Sequence, residues 1–371
     1  MAEIELRDVS KAYGEHRVLD RVSATFAQGS FSVLLGPPVS GKSVLMRLIM
    51  GLEPVDEGSV WLRGKDVTRT AAGTRHIGYV PQSFALYPHY RVIDNIAYPL
   101  ALAGRSRDQI RPPIEKLAQK LKITHLLEKY PNQLSGGEKQ RVALARGMIK
   151  DTSVFILDDP LVGLDFKLRE QLFVDLRDML SEVGGTFIYT TSDPLETLAL
   201  ADQVYILDEG RIQEHGPMDE MYYRPNHVRT LQLLGFPAAN LISGEAQDGR
   251  CRTALGEFAV DLFDSTPRRL TVGFRAESIR FQTERSVEDL GATGRTLLQE
   301  DLGAETLIYF EAGGTRLVGA WSNAAPAPVR AEGFSFTVPG PELLLFDAET
   351  GERVIAGNAR AGVAEARSAG G

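Results

Sequence analysis

The sequence predicts an α/β fold built on a mainly parallel sheet over residues 1–235, followed by a smaller β-rich domain over 236–355. Three observations carry that expectation. A glycine-containing turn, Gly36-Pro37-Pro38-Val39-Ser40-Gly41-Lys42-Ser43, lies between the apolar run at 31–35 and a stretch in which Val44, Leu45, Leu48 and Ile49 recur at helical spacing. A second apolar run, Val154-Phe155-Ile156-Leu157, ends in Asp158-Asp159-Pro160. After Gly235-Phe236-Pro237 the chain changes to short, turn-bounded, β-rich segments at 269–273, 296–298, 305–310 and 316–319, the pattern of a small barrel.

Taken in chain order, residues 4–9, 22–26 and 59–62 are expected as short strands of an antiparallel layer. The run at 31–35 reads as a buried parallel strand, so the turn after it has the strand, loop, helix context of a phosphate-binding loop. Such a loop curls successive backbone N–H groups around an anion, with Gly36, Ser40 and Gly41 in its path, at a helix N-terminus that favours negative charge. Lys42 is placed to reach the outer phosphates and the Ser43 hydroxyl to hold magnesium. Residues 86–152 carry helical patterns, among them 110–122 and a helix over 139–149 opened by Ser135. The run at 154–157 is apolar throughout, as a strand covered on both faces must be, and ligands sit at the C-terminal ends of such strands. Asp158 is thus the expected Mg²⁺ carboxylate, acting mostly through water. Strands at 186–190 and 203–208 follow, the second turning through Glu209-Gly210 into a hairpin, with Pro194 at a tolerated early position of a helix over 195–201. The Ala/Gly/Arg-rich tail at 356–371 has little to bury and is expected to be disordered.

Composition narrows the classes. The 371 residues hold 41 Lys plus Arg against 49 Asp plus Glu, a net −8, which argues against a nucleic-acid scaffold. A single cysteine, Cys251, excludes an internal disulfide and fits a reducing cytosol. The acidic start lacks an apolar signal core, and no apolar stretch is long enough to span a bilayer, so any membrane crossing falls to separate chains. The six histidines show no metal-ligand spacing.

The octet Leu134-Ser135-Gly136-Gly137-Glu138-Lys139-Gln140-Arg141, with the phosphate loop and the Asp-tipped strand, resembles the nucleotide-binding subunits of ABC transporters over nearly the whole chain. The resemblance implies an α/β phosphate-loop NTPase domain with a helical subdomain at about 86–152, binding ATP and Mg²⁺. Ser135, Gly136 and Gly137 match the family signature that faces a phosphate bound by the other subunit, so it implies a dimer. Tyr13 resembles the aromatic that stacks on adenine, and Gln82 the glutamine that touches Mg²⁺ and reports on the membrane partner. Residues 83–89 look like the importer loop that receives a permease helix, and Val162-Gly163-Leu164-Asp165 like the loop linking the two sites. The stretches at 236–242, 272–279 and 343–347 are similar to the C-terminal OB-type regulatory region of carbohydrate-importer ATPases; polyamine and ferric-ion importers carry similar extensions. The implied partners are two transmembrane permease subunits and, indirectly, an extracytoplasmic solute-binding protein, with the chain peripheral on the cytoplasmic face and a sugar or polyol as cargo.

Four positions depart from that family's pattern. Asp159 stands where a catalytic glutamate is usual, and Ser192 where a histidine is usual. Aspartate is one methylene shorter, and a shift of about 1 Å in a positioned group can cost on the order of 10²-fold in rate. Serine has no imidazole to share charge or a proton with the γ-phosphate. Val39 replaces an inner glycine, at about 1–2 kcal/mol if positive φ is required, and Val44 replaces a hydroxyl that would reach an α-phosphate. With the signature octet intact, the expectation is a heterodimer with a second ABC ATPase subunit, having one degenerate and one competent pocket. The alternatives are a homodimer that hydrolyses slowly with Asp159, including a polyamine or ferric-ion importer, and a nucleotide-gated regulatory or structural subunit.

Overall fold

The structure, a computed structural model, describes residues 2–163, 166–260, 267–281, 286–323 and 333–354; within 166–175 only Arg169 is described at its side chain. The expectations for Leu164, Asp165 and the tail at 356–371 lie outside the described residues. The chain divides into two compact units, Met1–Met221 and Tyr222–Gly371. Residues 222–235, assigned to the first domain on sequence, cluster with the second unit, where Leu231 of the helix Val228–Leu233 packs on Leu344 and Phe346.

The first unit begins with a long hairpin, β1 (Ala2–Tyr13) and β2 (His16–Ala27), whose strands extend beyond the predicted segments on both sides. Next come β3 (Phe31–Leu35), the phosphate-loop turn, α1 (Lys42–Met50), β4 (Glu57–Leu62), β5 (Lys65–Asp66) and β6 (Ile77–Val80). The helical segment holds α2 (Val92–Leu102), α3 (Arg107–Lys120) and α4 (Gly136–Met148). β7 (Val154–Asp158), α5 (Phe166–Val183), β8 (Thr186–Thr191), α6 (Pro194–Leu200), β9 (Gln203–Asp208) and β10 (Arg211–Pro217) complete the unit. One antiparallel sheet runs β2-β1-β4-β5, and a mixed sheet runs β10-β9-β3-β8-β7-β6, with β9 through β6 parallel and β10 an antiparallel edge.

β3 and β7 are buried at every residue, as the apolar runs required. Ile4, Leu6 and Val9 of β1 and Leu45, Leu48 and Ile49 of α1 join one core with Leu34 and Ile156, so α1 is held between the antiparallel layer and the parallel sheet. That packing fixes the turn before α1 at the C-terminal edge of the sheet. α3 starts three residues before the predicted 110, because Ser106 caps it and Gln109 closes the capping box; Pro112 and Pro113 fall inside it. α4 likewise starts at Gly136 instead of 139, with Ser135 as N-cap accepting from Glu138. α6 opens on Pro194, with Asp193 accepting from the Leu195 N–H at 2.7 Å.

The second unit has β11 (Asn240–Gln247), β12 (Arg250–Thr253), β13 (Gly256–Ala259), β14 (Arg268–Phe274), β15 (Arg280–Phe281), β16 (Leu290–Asp301), β17 (Glu305–Ala312), β18 (Thr315–Ser322), β19 (Phe334–Val338) and β20 (Leu344–Asp347). They form two five-stranded sheets, β13-β12-β11-β14-β20 and β15-β19-β16-β17-β18. Phe258, Phe274, Phe310 and Phe336 share one core between these sheets, consistent with an OB-like domain. Cys251 is buried in that core.

Candidate nucleotide site

The site grows from the C-terminal ends of parallel strands. β3 feeds the phosphate loop, β7 ends in Asp158, β8 leads to Ser192, and β6 leads to Gln82. β7 lies beside β8 and β8 beside β3, so the acid and the loop meet across a neighbouring strand. The Ser43 hydroxyl donates to Asp158 Oδ1 at 3.0 Å, and the Thr190 hydroxyl donates to the same oxygen at 2.8 Å. Thr190 in turn accepts the Asp159 N–H at 2.9 Å on its hydroxyl.

The loop is shaped for a ligand that sequence chemistry calls an anion. A Cβ at Gly36 would lie 2.2 Å from the Leu207 carbonyl oxygen and 2.7 Å from Ser40 Oγ, so only glycine fits there. Gly41 holds φ 104° at the N-cap of α1, whose first turn has neither a side-chain cap nor an acid, leaving its N–H groups open to an anion. Ser40 Oγ is buried without a partner among the described residues, and Lys42 Nζ rests on the carbonyls of Gly36 and Pro37 at 2.7 and 2.9 Å. Burial lowers the pKa of the Lys42 ammonium, while Asp159 and Asp158 oppose that shift. Burial likewise pushes the Asp159 carboxyl up, against the pull of Lys42. An unpaired hydroxyl, a half-open helix end and a lysine facing two carboxylates fit a phosphate chain with a hard divalent ion.

Val39 adopts φ 69° and is 96 % exposed, so the left-handed conformation considered at this position is present, with no packing to compensate it. Val44 is half-buried and packs on the apolar core beside α1. Pro37 and Pro38 add a feature that pattern matching passed over: neither has a backbone N–H, so the donors of the cradle begin at Val39. Asp159 also holds a positive φ, 47°, a conformation that aspartate tolerates better than most side chains.

Other predicted residues share no hydrogen bond with this cluster among the described residues. Gln82 and Ser192 are exposed and make no hydrogen bond among the described residues. The chain before Ser192 is firmly held: Glu196, itself buried, accepts from Tyr189 at 2.8 Å and Thr191 at 2.7 Å, and Arg169 pairs with Glu196 at 3.1 Å and with Asp193. Tyr13, the last residue of β1, is 46 % exposed and its hydroxyl donates to Glu53. Ser135, Gly136 and Gly137 open α4, whose other end packs on β6 at Gly147, where a Cβ would meet Val80 and Tyr79. Gly147 lies eleven positions after Gly136, about 17 Å along the axis, so the signature is carried well away from the β6 end of α4.

Tyr79 is the site residue that sequence reasoning missed. Its hydroxyl lies 3.5 Å from Asp158 Oδ2, and burial followed by the Asp158 charge pushes it up to about 12. Its position on β6, beside β7, was the available signal, since paired strands place their C-terminal ends together.

A protein family described as ABC transporter matches residues 19–162. The sn-glycerol-3-phosphate import ATP-binding protein UgpC of Chromobacterium violaceum is 35% identical over 361 residues, covering 95% of this chain and 96% of that protein. The protein of the same name from Pectobacterium atrosepticum is 34% identical, covering 95% of this chain and all of its own length, 100%. Among solved structures, a nucleotide-free ATP-binding cassette from an ABC transporter is similar in fold, with TM-score 0.52 and 24% identity over 58% of this chain and 92% of that one.

Proposed function

This chain belongs to the ABC transporter family, among the ATP-binding subunits of importers with a C-terminal OB-type domain, and from that membership we propose that it couples ATP binding and hydrolysis to solute import as the weaker half of an asymmetric dimer. The observation that carries the nucleotide reading is the meeting of Ser43, Thr190 and Asp158 beside Lys42 and Asp159. Ser43 and Asp158 would hold magnesium, Lys42 and the α1 N–H groups the outer phosphates, and Tyr13 the adenine. Magnesium, when bound, supplies charge neutralisation on the transferred phosphate. Asp159, whose carboxyl is raised by burial, would accept a proton from the attacking water.

The reading of an impaired pocket is supported by Val39 at positive φ, by two prolines without N–H donors, by the shorter Asp159 and by an exposed Ser192 without a partner among the described residues. The signature at Ser135–Gly137, intact and well capped, would complete a partner's pocket. The proposed setting, after the importer relatives, is the cytoplasmic face of a membrane whose path permease chains supply; no helix among the described residues is long and apolar enough to cross one. A sugar- or polyol-type cargo follows the relatives, which are named for sn-glycerol-3-phosphate import.

The test is to purify the chain alone and together with a consensus ATPase subunit and permeases from its own operon. The expected result is magnesium-dependent ATP binding by the chain alone, slow turnover, and fast turnover by the mixed complex. Fast turnover by the isolated chain overturns the asymmetric dimer, and absence of ATP binding overturns the nucleotide reading.

A further inference from the structure

Resting on the reading of Tyr13 as the adenine platform, the geometry points to Glu53 and Arg47 as positioning residues that fix that platform and tie it to the phosphate end of the site. A half-exposed tyrosine at a strand end can rotate about two side-chain bonds, and a stacking surface is useful only if its plane is held. Here the Tyr13 hydroxyl donates to Glu53 Oε2, and Arg47 Nε pairs with Glu53 Oε1 at 2.6 Å. The hydrogen bond to the Glu53 carboxylate also raises the Tyr13 pKa.

The backbone makes this arrangement stiff. Arg47 lies in the last turn of α1, the helix that starts with Lys42 and Ser43. The helix ends at Gly51 with φ 74°, where the Leu52 N–H reaches the Arg47 carbonyl at 2.9 Å and the Gly51 N–H reaches Leu48 at 3.1 Å, the paired bonds of a Schellman turn. That turn aims Glu53 back toward β1. Three residues on, Asp56 takes the Ala12 N–H and Lys11 Nζ, each at 2.8 Å, and Lys11 stands 5.6 Å from the centre of the Tyr13 ring. The segment after α1 therefore grips the end of β1 at its backbone, at Lys11 and at the Tyr13 hydroxyl. One short helix links the residues that face the phosphates to the residues that orient the base.

A merely structural ion pair would leave a different signature. The side chains of Arg47 and Glu53 are 40 % and 25 % exposed, and partly exposed pairs contribute little to stability. The test measures binding of ATP and of inorganic tripolyphosphate to the full chain by calorimetry for Tyr13→Ala, Tyr13→Phe, Glu53→Ala and Glu53→Gln. Tyr13→Ala is expected to weaken ATP binding by about fivefold to a hundredfold, the range of a lost base–aromatic stack. Glu53→Ala and Tyr13→Phe, which cut the hydroxyl–carboxylate bond from either side, are expected to weaken ATP by roughly threefold to tenfold each. Glu53→Gln, which keeps an acceptor, is expected to lose less, tripolyphosphate affinity is expected to be unchanged throughout, and Tyr13→Ala with Glu53→Ala is expected to be no weaker than Tyr13→Ala alone.

Loss of ATP affinity in Tyr13→Ala but not in Glu53→Ala or Tyr13→Phe overturns the positioning role and leaves the platform standing. Equal losses for ATP and tripolyphosphate in Glu53→Ala also overturn it, since the residue would then act on the whole site. Unchanged ATP affinity in Tyr13→Ala overturns the platform itself.

Discussion

Ser43 Oγ and Asp158 Oδ1 meet at 3.0 Å although 115 positions separate them in the chain. One ends a glycine-lined loop and the other ends a strand, and the contact exists because β8 places the strands that carry them on its two sides. Thr190, at the end of that intervening strand, donates to the same carboxylate oxygen. Two hydroxyls on one oxygen make Asp158 a held, buried carboxylate and not a solvated surface acid.

Replacing Asp158 with alanine is expected to abolish magnesium-dependent enhancement of ATP binding. It also strands the Ser43 and Thr190 hydroxyls, and Thr190 is fully buried, so stability should fall by about 1–3 kcal/mol. Calorimetry with and without magnesium, alongside urea unfolding, checks both parts. Retained magnesium dependence would remove Asp158 from the metal site.

Val39→Gly should raise the melting temperature without lowering ATP affinity. Glycine accepts the φ of 69° without the penalty of a β-branched residue, about 1–2 kcal/mol. Because the Val39 side chain is 96 % exposed, no packing is lost, and the gain in stability is offset in part by the entropy of glycine in the unfolded chain. A fall in both affinity and melting temperature would show that valine is favourable here.

Asp159 gives a pH signature whose sign is fixed. Burial raises its pKa in the native state above the ordinary 3.8, so its contribution to stability is full below that ordinary value and is lost as pH rises through the raised native value. Asp159→Asn should therefore melt higher than the parent near pH 8, with the difference shrinking as pH falls toward 4. Parallel melting curves across that range would contradict the buried-charge account.

Asp159→Glu combined with Ser192→His should raise ATP turnover by at least about tenfold if polarising groups alone limit the chemistry. No gain, with ATP binding intact, would assign the limit to the loop, where Pro38 and Val39 stand. Adding Val39→Gly to the pair then separates the two contributions in a single-turnover assay.

Local patterns carried much of this architecture. The buried strands at 31–35 and 154–157, the loop before α1, the Ser135 cap and the Pro194 helix start were legible because each depends on neighbours within a few residues. At α3 and α4 polar first turns held by capping boxes extend the helices ahead of their apolar periodicity, so periodicity alone starts them late. Tyr79 becomes legible only once β6 is paired with β7, because its place at a strand end does not say which acid ends the neighbouring strand.

Residue order alone supplies the list of parts: a phosphate loop, an acid-tipped strand, a signature helix and a β-rich second domain. Tertiary structure alone decided which parts meet. The order β9-β3-β8-β7-β6 joins Ser43 to Asp158 and Tyr79 to Asp158, and the turn at Gly51 brings Glu53 to Tyr13. The physical reason is that hydrogen bonds between residues far apart in the chain depend on strand order and on helix ends, which hydrophobic periodicity does not encode.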